Sequence, residues 1–276
     1  MKRILPILAA LCCLVACNNN EPTPTKSVTF HVDAFHIAQE PMKAPQRAPI
    51  LDDNDGTALT DLYIFDGNTQ LAHQTSDQEA FGTITLSMEY GSHALSFIAT
   101  RSDGQTYASG VLSVEGLKPT FGKIQTITIG DATDAFDITL QRVTGQLVIT
   151  FSDEIPADAA TLRIQMGTKY DDLDITTLNG TNGYAYTKDV AINGKAGKAG
   201  QSWTINTLAA VYGQQYTTDI TLTVLRADAS VIAQHIIEDV PLASNTKTLL
   251  TGEMFAGQTF GVSVDHTWAE DLQPAW

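Results

Sequence analysis

Gly82-Thr83-Ile84-Thr85-Leu86-Ser87-Met88 alternates small or polar residues with apolar ones along its whole length. Successive side chains of a strand point to opposite faces, so this stretch has one apolar and one polar face and predicts a half-buried strand. Glu89-Tyr90-Gly91-Ser92 then supplies turn residues, and Ala94-Leu95-Ser96-Phe97-Ile98-Ala99 supplies a second strand. The two are expected to close as a hairpin. A helix would need apolar residues recurring every three to four positions, and no segment of the mature chain sustains that period. The reading is therefore all-β.

Outward from this pair the same signal recurs. Upstream, Val28-Thr29-Phe30-His31-Val32-Asp33 alternates, and Leu62-Tyr63-Ile64-Phe65 is a buried run closed by the turn Asp66-Gly67. Downstream come Val111 to Val114, Gln125 to Ile129, and two apolar blocks around Gly145 between Ile138 and Phe151. A second set follows: Leu147 to Phe151, Leu162 to Met166, Trp203 to Ala210, Ile220 to Val224, Val231 to Ile237 and Thr259 to Val264. Gly194 to Gly200 reads as a flexible loop. Short strands separated by turn residues fit β-sandwiches, and about seven strands in each half suggest two in series. The boundary falls at about residues 130–142, giving an N-terminal sandwich over 27–136 and a C-terminal one over 137–276.

The amino terminus carries a different message. Lys2 and Arg3 precede an apolar run from Ile4 to Val15, too short to span a bilayer and suited to an export signal. Its ending, Leu14-Val15-Ala16-Cys17, resembles a bacterial lipobox. That resemblance implies removal of residues 1–16 by cleavage between Ala16 and Cys17, with lipid on Cys17. An ordinary secretory signal with an incidental cysteine is the alternative. Residues 17–26 are polar and proline-containing and read as a lipidated tether. Asn18, rather than aspartate, after the lipid cysteine favours the outer membrane by the same resemblance.

Composition narrows the function. The chain has 276 residues and a formal net charge of −15, so no basic stripe is available for nucleic acid. Its three cysteines, Cys12, Cys13 and Cys17, all lie at the amino terminus, leaving no disulfide framework, cysteine metal site or cysteine nucleophile in the body of the chain. His31, His36, His73, His93, His235 and His266 are scattered without metal spacing, and His31 and His36 are expected to face solvent. No phosphate-binding or nucleophile-elbow motif is present. Asp52-Asp53-Asn54-Asp55-Gly56 fails the spacing of a calcium loop, and Asp171-Asp172-Leu173-Asp174 reads as a solvated turn. Neither a metal nor a cofactor is expected, and no catalytic residue is assigned. Trp203, Trp268 and Trp276 are candidates for a sugar-stacking platform, against the ordinary expectation that a sandwich tryptophan is core.

Between residues 39 and 57 lies a long polar segment holding Pro41, Lys43, Pro45, Arg47 and Pro49. Exposed loops of this kind are preferred sites of proteolytic nicking, and a cut there would free the first strand from its covalent link to the sheet. Arg47 is the candidate site and Lys43 its competitor; an ordinary surface arginine is the plainer reading.

The order of these features resembles the fimbrillin-like proteins of the Bacteroidales, including their fimbrial anchor and accessory subunits. It rests on the lipobox at 14–17, the strand before a basic, proline-bearing loop, and Asp61-Leu62-Tyr63-Ile64-Phe65-Asp66-Gly67. It also rests on Gln141 to Ile149, Asn245-Thr246-Lys247-Thr248-Leu249-Leu250-Thr251-Gly252, and Phe260 to Trp268. The resemblance implies two tandem transthyretin-like Greek-key β-sandwich domains. It also implies export to the cell outer membrane as a surface-exposed lipoprotein, and a place in or beneath a fimbria beside other fimbrial subunits, supporting cell adhesion. In stalk-type relatives an arginine-specific protease removes the first strand, and the exposed groove accepts a strand of the next subunit. Here Val28, Phe30 and Val32 would be the side chains withdrawn. An anchor subunit would keep both lipid and strand. The alternative is a surface glycan-binding lipoprotein of a polysaccharide-utilisation system, and a host or bacterial surface ligand fits either. A hydrolase would need two carboxylates about 5–10 Å apart in a cleft, and no motif pairs them.

Overall fold

The computed structural model describes residues 23–33, 59–101, 105–114, 117–257 and 259–265. All regular structure among them is β. The first ten strands are β1 (Thr25–Asp33), β2 (Asp61–Asp66), β3 (Thr69–Thr75), β4 (Thr83–Glu89), β5 (Gly91–Thr100), β6 (Gln105–Ala108), β7 (Val111–Val114), β8 (Phe121–Ile129), β9 (Ala135–Thr139) and β10 (Gln141–Arg142). Then come β11 (Thr144–Phe151), β12 (Ala159–Lys169), β13 (Asp172–Asp174), β14 (Gly180–Thr181), β15 (Tyr184–Ala191), β16 (Gln201–Leu208), β17 (Tyr216–Arg226), β18 (Val231–Leu242), β19 (Lys247–Gly252) and β20 (Phe260–Asp265). β1 thus begins inside the stretch read as tether.

Two sandwiches account for most of these strands. In the first, the sheet β4-β1-β9 packs on the sheet β10-β8-β5-β2-β3. Val28, Phe30, Val32, Ile84, Met88 and Ile138 from one sheet meet Leu62, Ile64, Leu95, Phe97, Phe121 and Ile127 from the other. In the second, β16-β11-β19-β20 packs on β15-β12-β17-β18. Leu147, Ile149 and Phe151 of β11 there face Leu162, Ile164 and Met166 of β12 and Ile220, Leu222 and Val224 of β17.

A fifth sheet, β14-β13-β7-β6, takes two strands from each half of the chain. Leu173 of β13 pairs with Leu112 of β7 across it. It covers the outer face of the first sandwich, so β2 is sandwiched on both sides. Leu62 and Ile64 point into the first core, while Tyr63 and Phe65 join a third one with Ile98, Leu112, Leu117, Val143, Leu173, Ile175 and Leu178. That is why Leu62-Tyr63-Ile64-Phe65 is continuously apolar rather than alternating.

Two expectations are corrected. β4 and β5 do not form a hairpin: β4 pairs with β1, whereas β5 pairs with β2 and β8. Ile84 and Met88 instead face Leu95 and Phe97 across the core, and the chain arches over the end of the sandwich. Alternation sets which face of a strand is apolar, and two strands that share that property can lie side by side or face to face. The turn is tied to β1 rather than to itself, because the Tyr90 amide donates to the Pro24 carbonyl at 3.0 Å. Gly91 has φ +132°, a region from which side-chain-bearing residues are largely excluded. The second correction is Asp171-Asp172-Leu173-Asp174, which is no solvated turn. Residues 172–174 are β13, Leu173 is buried, and Asp171 pairs with the buried Lys169 and accepts a hydrogen bond from Tyr184 Oη at 2.5 Å.

Candidate functional site: the first strand and its groove

β1 has the sequence TKSVTFHVD. β-branched and aromatic residues at every second position suit a pleated, half-buried surface. In the fold it is the middle strand of three. It runs antiparallel to β4, with Val28 opposite Leu86 and Phe30 opposite Ile84, and parallel to β9, with Phe30 opposite Phe136 and Val32 opposite Ile138. Its inward row is Val28, Phe30 and Val32, all 1 % exposed or less. The Phe30 ring lies 5.8 Å from Phe136, nearly parallel at 12°, and 5.4 Å from Phe97, tilted by 54°. Thr29 and Thr85 hydroxyls meet at 2.9 Å on the outer face.

Burying a side chain of this size from water stabilises by about 1.5–3 kcal/mol, so the row of three is a large share of a domain's net stability. Without β1 the sheet would be two separated strands beside an apolar trough lined by Ile84, Met88, Phe97, Phe136 and Ile138. Both ladder edges facing that trough would lose their partners. The arrangement therefore does one thing chemically. It accepts an extended segment with apolar side chains at alternate positions, and β1 is the segment it holds.

Polar contacts hold the start of β1. Lys26 Nζ forms an ion pair with Asp134 at 3.1 Å and donates to the Asp131 carbonyl. Asp131 also accepts from Tyr90 Oη at 2.9 Å, and this bond holds the phenol pKa above its ordinary value. At the far end the Leu140 amide donates to the Asp33 carbonyl at 2.7 Å. Beside the groove, His93 bridges the arch: Nδ1 lies 2.6 Å from Asp66 and Nε2 2.9 Å from the Glu89 carbonyl. Both partners are acceptors, so the imidazolium satisfies both, and the hydrogen bond to Asp66 raises the pKa of His93.

Of the residues singled out in the sequence, Val28, Phe30 and Val32 are brought together here. Trp203 is 7 % exposed, packed on Phe151 with the Lys195 ammonium 4.7 Å above its ring, so it offers no stacking face for a sugar. Ala16, Cys17, His36, Lys43, Arg47, the 52–56 acidic run, His266, Trp268 and Trp276 lie outside the described residues. Among the described residues no group of three or more His, Cys, Asp or Glu side chains is placed to hold a metal ion. The sequence reading missed β9, the parallel wall of the groove. Its signal was present, since Ala135-Phe136-Asp137-Ile138-Thr139 alternates, but it is only five residues long.

No family model matches the chain, and no curated protein matches it in sequence. Solved structures do. A candidate adhesin from Bacteroides ovatus ATCC 8483 superposes with a TM-score of 0.51 at 9 % identity, over 78 % of this chain and 83 % of that one. A candidate cell adhesion protein of the same strain matches at 0.48 and 10 % identity, over 88 % and 98 % of the two chains. The fimbrial anchor protein Mfa2 from Porphyromonas gingivalis matches at 0.46 and 11 %, over 87 % and 96 %. The scores of the last two carry no argument; the first shows a shared fold. The all-β fold implied by the fimbrillin-like resemblance is thus the fold of this chain, and it is similar to that of the Bacteroides ovatus protein.

Proposed function

We propose that this chain is a structural subunit of a cell-surface fimbria, an anchor or accessory component that joins its neighbours by strand addition. The observation that carries this is the groove. A donor-like strand, β1, whose inward row Val28, Phe30 and Val32 is fully buried, completes a sheet that has no other middle strand. The long segment after β1, with Lys43 and Arg47, supplies a place where that strand can be released. The fold shared with a candidate adhesin supports a surface role, and the ordered motifs of the sequence support the fimbrial one.

In this reading residues 1–16 are removed, Cys17 carries lipid at the outer membrane, and residues 17–26 lead into β1. The two sandwich units form the body, divided after β10 (Gln141–Arg142) rather than at the 136/137 boundary expected from the sequence, because β9 and β10 belong to the sheets of the first. The partners are other fimbrial subunits and, in adhesion, a host or bacterial surface ligand. The proposal assigns no catalytic chemistry and no cofactor. Strand exchange works because a replacement with the same alternation recovers the burial and the ladder bonds that β1 gives up.

The test is the intact mass and amino-terminal sequence of the protein taken from the cell surface. A lipidated chain beginning at Cys17 and retaining β1 identifies an anchor. A lipid-free chain beginning at Ala44 or Ala48 identifies a polymerising subunit whose groove is open. A lipid-free chain that begins within residues 18–26 removes the lipoprotein assignment.

A further inference from the structure

Three asparagines are followed directly by glycine: Asn179-Gly180, Asn182-Gly183 and Asn193-Gly194. A glycine has no side chain to keep its amide nitrogen away from the asparagine side chain before it, and its backbone turns freely. The sequence therefore makes the three pairs alike. The fold does not. Asn179 Oδ1 accepts from the Tyr212 amide at 2.8 Å, and Gly180 is buried in β14 with its own amide donating to the Ala209 carbonyl at 2.7 Å. Asn182 Nδ2 donates to the Asp172 carboxylate at 2.8 Å, and Gly183 lies so close to the Tyr170 ring that an added methyl group would overlap it.

The third pair is held by neither device. Asn193 and Gly194 are the central residues of an exposed turn between β15 and β16, closed by the Lys195 amide donating to the Ile192 carbonyl at 3.0 Å. Gly194 has φ +68°, and an added methyl group would meet nothing within 4 Å. Among the described residues nothing bonds the Asn193 side chain or the Gly194 amide. We propose that Asn193 is a site of spontaneous covalent modification, where the side-chain amide becomes a carboxylate and part of the main chain is rerouted through that side chain.

The reaction needs only water and hydroxide. Base removes the Gly194 amide proton, and that nitrogen attacks Asn193 Cγ. The Cγ–Nδ2 bond breaks, and ammonia leaves with a proton taken from water, closing a five-membered imide. Water then adds to one of the two imide carbonyls, and the C–N bond at that carbon breaks. Opening at Cγ leaves aspartate in an ordinary chain. Opening at the backbone carbonyl leaves isoaspartate, with the chain continuing through Cγ and lengthened by a methylene inside the turn. Either product sets a carboxylate two positions from Lys195, which donates to the Ser202 carbonyl at 2.8 Å and lies over the Trp203 ring. Asn179 and Asn182 reach the same geometry only by breaking a hydrogen bond and moving packed backbone, whereas the exposed turn needs neither.

The experiment is incubation of the full chain at mildly alkaline pH, folded and in urea, with peptide mass mapping of aspartate and isoaspartate at positions 179, 182 and 193. In urea the three positions are expected to convert at similar rates, because each precedes glycine. In the folded chain Asn193 is expected to convert nearly as fast as in urea. Asn179 and Asn182 are expected to slow by about tenfold or more, the factor that one hydrogen bond of ordinary net strength supplies. A folded chain in which Asn193 converts no faster than Asn179 or Asn182 overturns the proposal. So does the same preference for Asn193 in urea, which would trace it to sequence rather than to the turn.

Discussion

β1 and β11 hold the same place in the two sandwiches. Each is an inner strand, antiparallel to one neighbour (β4 or β16) and parallel to the other (β9 or β19). Each sends an alternating row into its core, Val28, Phe30 and Val32 in one case and Leu147, Ile149 and Phe151 in the other, all essentially unexposed. Their ends differ. β11 is clamped before and after. A methyl group at Gly145 would overlap the Ala243 carbonyl, the Asn245 amide donates to Thr144, and the Gln146 amide donates to Thr246. Just past its end, the Asp153 carboxylate accepts from the amides of Met254, Phe255 and Ala256 at 2.9, 2.6 and 3.0 Å. β1 has a surface ion pair and a few single hydrogen bonds. Equal packing with unequal tethering is what separates β11 from β1, the strand proposed for exchange.

The widest test of that comparison is a pair of truncations. Phe30→Ala and Phe151→Ala are each expected to cost about 3–5 kcal/mol in denaturant unfolding, since both delete a ring from a close-packed core. A clear inequality between them would break the equivalence of packing. The equivalence should fail on rescue: a peptide with the sequence of β1 added to a chain lacking residues 25–33 restores stability, and a β11 peptide added to a chain lacking residues 144–151 does not.

Gly145→Ala is next, at about 1–3 kcal/mol, because the added methyl meets backbone rather than a side chain that can swing away. Asp153→Ala follows at about 1–2 kcal/mol, from amides left without their acceptor. If either is neutral by thermal unfolding, β11 is no more firmly held than β1.

The smallest effect concerns His93, beside the β1 groove. Its folded pKa lies above 6.5, so its stabilisation is fully present below that unfolded value and is lost as pH rises through the folded one. Stability relative to His93→Gln is therefore expected to fall as the pH rises above about 6.5 and through the raised folded value. A flat difference would mean that the arch is held without the imidazolium.

How much of this was legible beforehand follows burial. β1, β4 and β11 were legible because one face is apolar and the other is not. β3 (TQLAHQT) and β15 (YAYTKDVA) were missed because edge strands bury little and show no clear alternation. β13 was hidden for another reason: three residues with two aspartates become a strand only because β7, some sixty positions earlier, lies beside them. The arch between β4 and β5 shows the same limit. Of the site itself, the donor row could be read directly, while the walls that receive it required knowing which strands face which.

The parallel pairing of β1 with β9 also has a kinetic side. Thr29 meets Ala135 and Asp33 meets Thr139, so the sheet closes over a separation of about a hundred residues. Contacts so distant along the chain form slowly, because the loop must be closed before they repay it. During synthesis β1 emerges first among the described strands, yet its second neighbour arrives only after seven intervening ones. For that interval Val28, Phe30 and Val32 belong to a strand without a finished sheet, in need of a holdase or of rapid pairing with β4. The strand proposed for exchange is thus also the one whose own sheet is completed late.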